Sequence, residues 1–373
     1  MTTMSKTKLL LLGAGKIGRA ITRFLSGSGD YDLTVADYSQ EALDKLNDLF
    51  DGPTVQVDAT KKDELAKVMA GQRVVISALS YSFNPLVAEV ALEAGTSYFD
   101  LTEDVETTRK VKAIATKAGE NQIFMPQCGL APGFISIVAN HLTAEFDSLE
   151  RVRMRVGALP QFPSNALKYN LTWSTDGLIN EYCNPCEAIH EGKLIDVLPL
   201  EGLEHFSMDG VRYEAFNTSG GLGTLCETLD GKVRELNYRT IRYLGHRDLA
   251  ALLVNDLRLS QRREMFKDIL ESAIPVTYQD VVITFTTVSG QRNGQLAQIT
   301  DARKIYHQDI DGEHWSAIQI TTAGGICAVV DLFIDGKLPS SGFVRQEDVQ
   351  FDDFIANRFG SYYSSDIKTQ LDG

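Results

Sequence analysis

Residues 7–37 read TKLLLLGAGKIGRAITRFLSGSGDYDLTVAD, and this stretch sets the architecture of the first part of the chain. The strand-like run at 8–12, with leucine at 9–12, predicts a buried strand, and a GxGxxG pattern follows it directly, before a helical segment. Gly13 permits the sharp turn, Gly15 lets a pyrophosphate approach the backbone, and Gly18 allows close packing of helix on strand. The free N–H groups at the start of the helix attract phosphate. The stretch therefore predicts a dinucleotide-binding turn that includes Lys16 and Ile17, in preference to an empty structural turn.

Asp37 closes the second apolar run, nineteen residues after Gly18. A carboxylate at the tip of the second strand accepts hydrogen bonds from the ribose hydroxyls of NAD and repels the 2′-phosphate of NADP. The residues at 38–41 include no arginine to offset that repulsion, although Lys45 lies within reach on the following helix. The sequence therefore favours NAD over NADP as the cofactor.

Strand and helix patterns alternate through the first 130 residues, with six predicted strands. Six strands joined by helical crossovers predict an α/β fold, a doubly wound parallel sheet of the Rossmann type. Ligands of such sheets bind beyond the carboxyl ends of the strands. The residues that we expect to contact the cofactor are therefore Gly13, Gly15, Lys16, Ile17, Gly18, Asp37, Asp58, Ser77, Ala78 and Leu79. Asp58 suits the adenine amino group, or it caps the helix that follows it.

The pattern changes after residue 130. Arginines and apolar residues alternate at 151–156, which predicts a strand with one apolar face. Further strands of an antiparallel sheet are predicted at 280–288, 295–306 and 315–322, and helices at 324–333 and 352–358. We therefore expect a Rossmann domain at 1–130, an α+β substrate and dimerisation domain at 131–322, and a helical segment at 323–373 that packs back on the Rossmann domain.

The composition narrows the class of protein. The 373 residues are 43% hydrophobic, which is enough for two cores. Because we find no run of about 18 apolar residues and no signal-peptide pattern, we expect a cytoplasmic protein without a membrane span. The net charge of −14 argues against nucleic acid or an anionic membrane as a partner. Cys183 and Cys186 lack the second pair or the histidines of a zinc site, so no metal is expected.

Four segments of the sequence form a recognisable set. Residues 126–134, PQCGLAPGF, hold a Gly-Leu-x-Pro-Gly turn where the chain leaves the first domain. The other three segments are NLTWSTDGLINEY at 170–182, YEAF at 213–216 and TIRYLGH at 240–246. With the glycine pattern, they resemble the saccharopine dehydrogenase family, most closely its lysine 6-dehydrogenase branch. Leu244 departs from that branch, which has proline there, and residues 217–222 are a looser version of its Thr-Asp-Gly-Leu.

The resemblance implies hydride exchange between a nicotinamide and a carbon–nitrogen bond of an amino acid. An ammonium group releases hydride only after a base has freed its nitrogen lone pair. His246 is the first candidate for that base, since its ordinary pKa lies near neutrality, or else it caps the next helix. Asp100, Glu103 and Asp104 follow a predicted strand and are alternative bases or amine ligands, unless they only favour the start of the next helix.

Holding an amino acid also requires a ligand for its carboxylate, and arginine serves best because its fork matches two oxygens. Arg242 lies in a family-like segment and is preferred to Arg151, Arg153 and Arg155, because a charged strand face is usually exposed. Trp173 either walls the substrate pocket or belongs to the core. Tyr81 either covers the nicotinamide or packs ordinarily.

We therefore expect an NAD-dependent enzyme, a homodimer or higher homo-oligomer, that oxidises the ε-amine carbon of lysine to an imine, which hydrolyses to a semialdehyde. Asp176 and Glu181 suit a distal ammonium group of such a substrate. An alternative is a dehydrogenase of saccharopine or of a carboxyalkyl polyamine. From another class, the chain is a dinucleotide-binding sensor or partner protein without turnover, although a sensor needs no acids or histidine at the cleft.

Overall fold

The computed structural model describes residues 6–364. Its first part alternates strictly between strand and helix, as expected. The elements are β1 (Thr7–Leu12), α1 (Lys16–Ser28), β2 (Tyr31–Asp37), α2 (Gln40–Asp44), β3 (Thr54–Gln56), α3 (Lys62–Met69), β4 (Val74–Ser77), α4 (Asn84–Ala94), β5 (Ser97–Asp100), α5 (Val105–Ala115) and β6 (Ile123–Met125). The strands pair in parallel in the order β6-β5-β4-β1-β2-β3. The prediction of a doubly wound Rossmann sheet is confirmed.

The second part builds a mixed sheet. Its elements are α6 (Phe134–Thr143), β7 (Ser148–Pro160), α7 (Thr175–Cys183), β8 (Cys186–His190), β9 (Lys193–Val197), β10 (Glu204–Met208), β11 (Val211–Asn217), α8 (Leu225–Thr228), β12 (Val233–Tyr243), α9 (His246–Ala251), α10 (Arg263–Ala273), β13 (Asp280–Arg292) and β14 (Gln295–Tyr306). The strand order is β10-β11-β12-β7-β13-β14, with the β8–β9 hairpin paired onto β12. The pairing is antiparallel except between β7 and β12, which run parallel.

The alternation at residues 151–156 gives β7 its two faces. Val152, Met154 and Val156 are buried in the main hydrophobic core. On the other face, Arg151 and Arg153 are exposed, but Arg155 is only 3% exposed and is paired with Glu204. A strand with one apolar face and one partly charged face matches the pattern in the sequence.

The last part of the chain returns to the first sheet. It comprises β15 (Gln308–Ile310), β16 (Glu313–Trp315), α11 (Ala317–Ile334), β17 (Gly342–Phe343) and α12 (Phe351–Ala356). β17 pairs in parallel with β6 as the seventh strand of the Rossmann sheet, and α11 packs against both α1 and β13. α11 therefore joins the two halves of the molecule.

The strand predicted at 315–322 is wrong, because α11 begins at Ala317. Ser316 forms a capping box with Gln319, and the Asp280 carboxylate accepts hydrogen bonds from the backbone N–H groups of Ala317 and Ile318 at 2.5 and 3.1 Å. These contacts satisfy the first free N–H groups of a helix and fix its start. The expected boundary between 322 and 323 consequently falls inside α11.

α11 is long and apolar enough to cross a membrane by length and composition, with a mean hydropathy of 1.8. No such segment was expected from the sequence. However, 89% of the helix is buried inside the protein, which is the ordinary environment of a core helix.

Candidate functional site

The glycine-rich turn has the geometry of a phosphate cradle. Gly13 has φ of +105°, and a Cβ there would lie 2.9 Å from the carbonyl oxygen of Ala78. A Cβ on Gly18 would lie 1.9 Å from the carbonyl oxygen of Gly13. A Cβ on Gly15 would meet nothing within 4 Å, so the backbone is open to a ligand at the start of α1. Lys16 begins the helix, and the Gln319 side chain donates to its carbonyl oxygen at 3.1 Å.

Asp37 lies at the tip of β2 and holds the turn. Its two carboxylate oxygens accept hydrogen bonds from the backbone N–H groups of Ala14 at 2.7 Å and Ser39 at 2.8 Å. A cavity of about 400 Å³ adjoins it, lined by Leu12, Ala36, Asp37, Tyr38, Val57, Asp58, Ala59, Thr60, Leu79 and Phe83. We call this the strand-tip cavity, and its position suits the adenosine half of a dinucleotide.

Asp58 does not cap α3, whose N-cap is Lys61, and its contact with adenine stays a prediction. It lines the strand-tip cavity, and its carboxylate also accepts hydrogen bonds from the backbone N–H and the hydroxyl of Thr60 at 3.0 and 2.6 Å. Ser77 is fully buried and its hydroxyl donates to the side chain of Asn84, so it links the end of β4 to the start of α4.

A second cavity, of about 260 Å³, lies between the two sheets, and we call it the interdomain cavity. The carboxyl ends of β4 and β5, the 129–132 turn, β7, β12, α7 and α11 contribute to its wall. It is lined by Ile17, Ala78, Leu79, Ser80, Tyr81, Leu101, Thr102, Glu103, Gly129, Leu130, Ala131, Pro132, Val156, Ala158, Trp173, Ser174, Asp176, Gly177, Glu181, Tyr238, Thr240, Arg242, Ile318 and Thr322. The cavity continues directly from the glycine turn, because its lining includes Ile17 of that turn together with Ala78 and Leu79, which are also predicted cofactor contacts.

Three predicted substrate ligands, Tyr81, Trp173 and Arg242, line this cavity. Trp173 is fixed by a hydrogen bond from its indole N–H to the hydroxyl of Tyr169 at 3.1 Å. Their position places them where a substrate next to the dinucleotide would lie, and their roles stay predictions.

Of the three predicted acids after β5, only Glu103 reaches the interdomain cavity. Asp100 is fully buried and its oxygens accept hydrogen bonds from the backbone N–H groups of Thr102 and Gln127 and from the Tyr98 hydroxyl. Asp104 caps α5 through the N–H of Thr107 at 2.7 Å. These two carboxylates therefore serve the local fold, and the structure does not support their assignment as catalytic groups.

His246, the first candidate for the base, does not line the interdomain cavity. It is 2% exposed, and both ring nitrogens are occupied, Nδ1 by the Leu167 carbonyl oxygen at 2.7 Å and Nε2 by the Tyr182 hydroxyl at 2.9 Å. Burial, and next the positive charge of Arg242, lower the pKa of His246 to about 3. A buried neutral imidazole with both nitrogens bonded is not available to a substrate proton, so the structure does not place His246 as the base.

Arg242 lies at the end of β12 with 2% of its surface exposed. Nε donates to the Tyr182 hydroxyl at 2.9 Å, and Nη1 donates to the Thr240 hydroxyl at 2.7 Å and the Ile241 carbonyl at 2.9 Å. The nearest carboxylate, Glu181, is 4.0 Å from Nη2, which is beyond hydrogen-bond distance. Within residues 6–364, Nη2 makes no hydrogen bond, and its two N–H groups are available to a ligand in the cavity.

Glu103 and Glu181 form a pair of unusual carboxyl groups in the cavity wall. Burial raises the pKa of Glu103 to about 7, and the charges of Asp104 and Asp100 add to the effect. Burial raises the pKa of Glu181 to about 8; the Arg242 charge opposes this, and Glu103 reinforces it. A carboxyl group with a pKa near the working pH is suited to exchange a proton with a substrate.

The sequence predicts Glu181 only as a ligand for a distal ammonium, and Tyr238 and Thr240, which also line the cavity, are not among the predicted residues. Glu181 lies on α7 within the family-like segment at 170–182, so its signal was present in the sequence. Its elevated pKa depends on tertiary burial beside Glu103, which no local pattern reports.

The cysteines at 183 and 186 are free, and Cys186 is buried. Among residues 6–364, we find no group of three or more metal-ligating side chains. Burial raises the pKa of Cys186 to about 12.

A glycine-rich turn on a doubly wound sheet, continuous with a polar cavity under a second sheet, defines a Rossmann-fold dinucleotide-binding protein of two domains. Family models refine this class. The saccharopine dehydrogenase NADP binding domain matches residues 9–123, and the saccharopine dehydrogenase C-terminal domain matches residues 129–360. The chain belongs to the saccharopine dehydrogenase family, which confirms the resemblance to that family, while the lysine 6-dehydrogenase branch stays a prediction.

Individual relatives are distant. Mitochondrial alpha-aminoadipic semialdehyde synthase from Rattus norvegicus is 24% identical over 204 residues, which are 53% of this chain and 22% of that protein. NADP(+), L-glutamate-forming saccharopine dehydrogenase from Saccharomyces cerevisiae is 27% identical over 198 residues, 50% of this chain and 43% of that protein. The chain thus matches less than half the length of either relative.

Solved structures share the fold over nearly the whole chain. Apo saccharopine dehydrogenase (L-Glu forming) from Saccharomyces cerevisiae has a TM-score of 0.76 at 19% identity, covering 93% of this chain and 95% of that one. Homospermidine synthase from Legionella pneumophila in complex with NAD has a TM-score of 0.67 at 13% identity, covering 96% and 90%. At these identities the likeness shows the architecture.

Proposed function

We propose that this protein is a dinucleotide-dependent dehydrogenase that acts on a carbon–nitrogen bond of a cationic amino acid, with the ε-amine of lysine as the first candidate. The observation that carries the proposal is the charge pattern of the interdomain cavity. Its lining combines Arg242, whose Nη2 lies 4.0 Å from Glu181 and makes no hydrogen bond within the described residues, with the carboxyl groups of Glu103, Asp176 and Glu181. Asp176 is already paired with Lys267 at 2.7 Å, so the groups left for a substrate are one cation and the carboxyl groups of Glu103 and Glu181, which when ionised match a ligand with one carboxylate and more than one amine.

The same charge pattern of the cavity also ranks the candidate substrates. Lysine and a carboxyalkyl polyamine each carry one carboxylate and several amines, whereas saccharopine carries three carboxylates. Like charges that meet in a desolvated site cost binding energy, so Glu103 and Glu181, once ionised, disfavour a tricarboxylate. The names of the relatives support saccharopine, and we keep it as the second candidate on that ground.

The residues of the cavity supply the acid–base work. A bound nicotinamide would accept the hydride. Arg242 would hold the substrate carboxylate through Nη2, with Glu181 beside it for the neighbouring ammonium. Glu103, at the end of β5, would take the proton from the amine that reacts, because its pKa of about 7 makes it both ionised and basic enough near neutrality. Tyr81 and Trp173 would exclude water from the reacting carbon.

We propose NAD as the cofactor in preference to NADP. The support is the Asp37 carboxylate at the strand-tip cavity, whose lining, all within the described residues, contains no arginine or lysine. Lys45, the one nearby candidate from the sequence, is paired with Glu41 at 2.8 Å. The family model is named for NADP and favours the opposite choice, so the comparison of NAD with NADP belongs in the first assay.

The test measures the change in absorbance of the reduced nicotinamide with lysine, saccharopine, a carboxyalkyl polyamine and 1,5-diaminopentane, each with NAD and with NADP. We expect the highest kcat/KM for lysine with NAD. Turnover of saccharopine alone would reject the charge argument. Tight dinucleotide binding without turnover of any amine would favour a sensor.

A further inference from the structure

The hydrogen bonds behind Arg242 form a chain with only one possible direction. A carbonyl oxygen accepts and never donates, so His246 Nδ1 must carry the proton in its 2.7 Å contact with the Leu167 carbonyl. In a neutral imidazole Nε2 is then an acceptor, and the Tyr182 hydroxyl must donate to it at 2.9 Å. The Tyr182 oxygen is left with lone pairs only, which accept the Nε proton of Arg242 at 2.9 Å.

All three residues of this hydrogen-bond chain are buried and held in place by their neighbours. Tyr182 is 3% exposed, and His246 and Arg242 are each 2% exposed. The Glu214 carboxylate, directly opposite Arg242 in the β11–β12 ladder, accepts hydrogen bonds from the N–H groups of Gly245 at 2.8 Å and Arg247 at 2.6 Å. These two bonds flank His246 and fix the start of α9.

The hydrogen-bond chain also determines which nitrogen of the Arg242 guanidinium is free to bind a ligand. Nε is taken by Tyr182, and both protons of Nη1 are taken by Thr240 and Ile241. Rotation of the guanidinium would break three buried hydrogen bonds, and buried donors are costly to leave unpaired. Only Nη2, on the cavity side, remains available.

We propose that Tyr182 and His246 are positioning residues, which orient Arg242 so that Nη2 presents its two N–H groups to the carboxylate of the substrate. This inference rests on the proposed function, in which the substrate is an amino acid. It gives His246 a role that its position away from the interdomain cavity allows.

The first experiment removes one oxygen atom. Tyr182→Phe should raise KM for lysine by ~10- to 100-fold and change kcat by less than about fivefold, because a charged hydrogen-bond donor loses its orientation. The preference for lysine over 1,5-diaminopentane, which lacks the carboxylate, should shrink by a similar factor. The dinucleotide affinity should stay the same. An unchanged KM in a folded Tyr182→Phe protein would overturn the proposal.

Tyr243→Phe is the matched control. Tyr243 is the neighbour of Arg242 on β12, and its hydroxyl donates to the Pro160 carbonyl at 2.8 Å, outside the interdomain cavity. Tyr243→Phe loses the same phenolic oxygen as Tyr182→Phe, from a residue next to Arg242 on β12, and we expect its KM to remain within about twofold of the wild type. An equal rise in KM for both variants would mean a general effect on the sheet and would reject a specific role for Tyr182.

Two substitutions of His246 separate its two hydrogen bonds. Glutamine places an acceptor near the position of Nε2 and can still receive the Tyr182 hydroxyl, whereas asparagine places a donor near Nδ1 and keeps only the Leu167 contact. We expect His246→Gln to retain a KM closer to the wild type than His246→Asn. A KM closer to the wild type for His246→Asn than for His246→Gln would contradict the proposed direction of the hydrogen-bond chain.

A measurement without substrate separates this inference from the proposed function. In protein labelled with ¹⁵N-histidine, the ring nitrogens of His246, assigned by comparison with His246→Gln, should report the neutral tautomer with the proton on Nδ1. A proton on Nε2, or on both nitrogens, at neutral pH would reject the hydrogen-bond chain whatever the substrate. If the tautomer is as expected but no amino acid binds, it is the proposed function that fails.

Discussion

Replacing Glu103 by glutamine should make the protein less active and more stable at the same time. Glutamine keeps the shape of the side chain but cannot accept a proton from an ammonium group. The loss of a general base lowers kcat by roughly 10²- to 10⁴-fold. The Glu103 charge helps to raise the pKa of Glu181, so its removal should move the remaining acidic limb of the rate profile to lower pH.

The gain in stability follows from the raised pKa. Burial moves the pKa of Glu103 from its ordinary 4.5 to about 7. Because the folded protein holds this proton more tightly than the unfolded chain, the stability contribution of Glu103 is lost as the pH rises from 4.5 to about 7. At ~1.4 kcal/mol per tenfold difference, the penalty reaches at most about 3 kcal/mol. Since Glu103 is partly open to the cavity, water reduces this to ~1–2 kcal/mol.

The assay is denaturant unfolding of the wild type and Glu103→Gln at pH 4 and pH 8, together with kcat at pH 8. We expect an increase in the free energy of unfolding of ~1–2 kcal/mol at pH 8 and almost none at pH 4. Glu106→Gln, an exposed carboxyl group at the start of α5, is the control and should change neither stability nor rate appreciably. A Glu103→Gln protein with normal turnover, or with equal stability changes at both pH values, would refute the reasoning.

Three further predictions concern the frame of the site. Gly15→Val should abolish dinucleotide binding measured by calorimetry while the thermal unfolding transition is kept, because the side chain would fill the open space at the start of α1. Asp37→Ser should narrow the ratio of kcat/KM for NAD to that for NADP by about one to two powers of ten, and a wild type that prefers NADP would contradict this. Asp280→Ala should lower the free energy of unfolding by ~1–3 kcal/mol, since two buried N–H groups at the start of α11 lose their acceptor; an unchanged chemical denaturation midpoint would count against that contact.

Local pattern was sufficient for the first half of the fold. The strand ending at Leu12, the glycines that follow it and Asp37 lie within one continuous stretch, and their spacing alone predicts the turn that the structure contains. The same is true of β14, whose predicted limits of 295 and 306 agree with the structure. These elements are governed by contacts near in sequence.

The start of α11 illustrates a determinant that is distant in sequence. Residues 315–322, WSAIQITT, are rich in β-branched and aromatic residues, which favour a strand. The helix forms there because Asp280, far away in the chain, accepts the first N–H groups, and because the apolar side chains are buried on every side. Tertiary packing overrides intrinsic preference in such a segment.

In the candidate site, too, some residues could be predicted from local segments, whereas the role of others depends on tertiary contacts. Arg242 and Trp173 were selected as substrate ligands from family-like segments, and both line the interdomain cavity. The choice of His246 as base rested on its place in a family-like segment and on the ordinary pKa of histidine, and burial and the neighbouring guanidinium lower that pKa strongly. Whether a titratable side chain faces a cavity or its own scaffold depends on contacts from α7, α9 and β11 together, and the sequence does not display these.

The return of the chain end to the first sheet has a consequence for the modularity of this protein. Phe24 of α1 stacks on Phe359 and Tyr362, and β17 covers the edge of β6. A fragment that ends at residue 130 would expose both the apolar face of α1 and an open strand edge, a combination that promotes aggregation. The dinucleotide-binding half is therefore not an independent folding unit. During synthesis it becomes complete only after the second half has been made. A recombinant version must carry residues 317–363 fused behind β6.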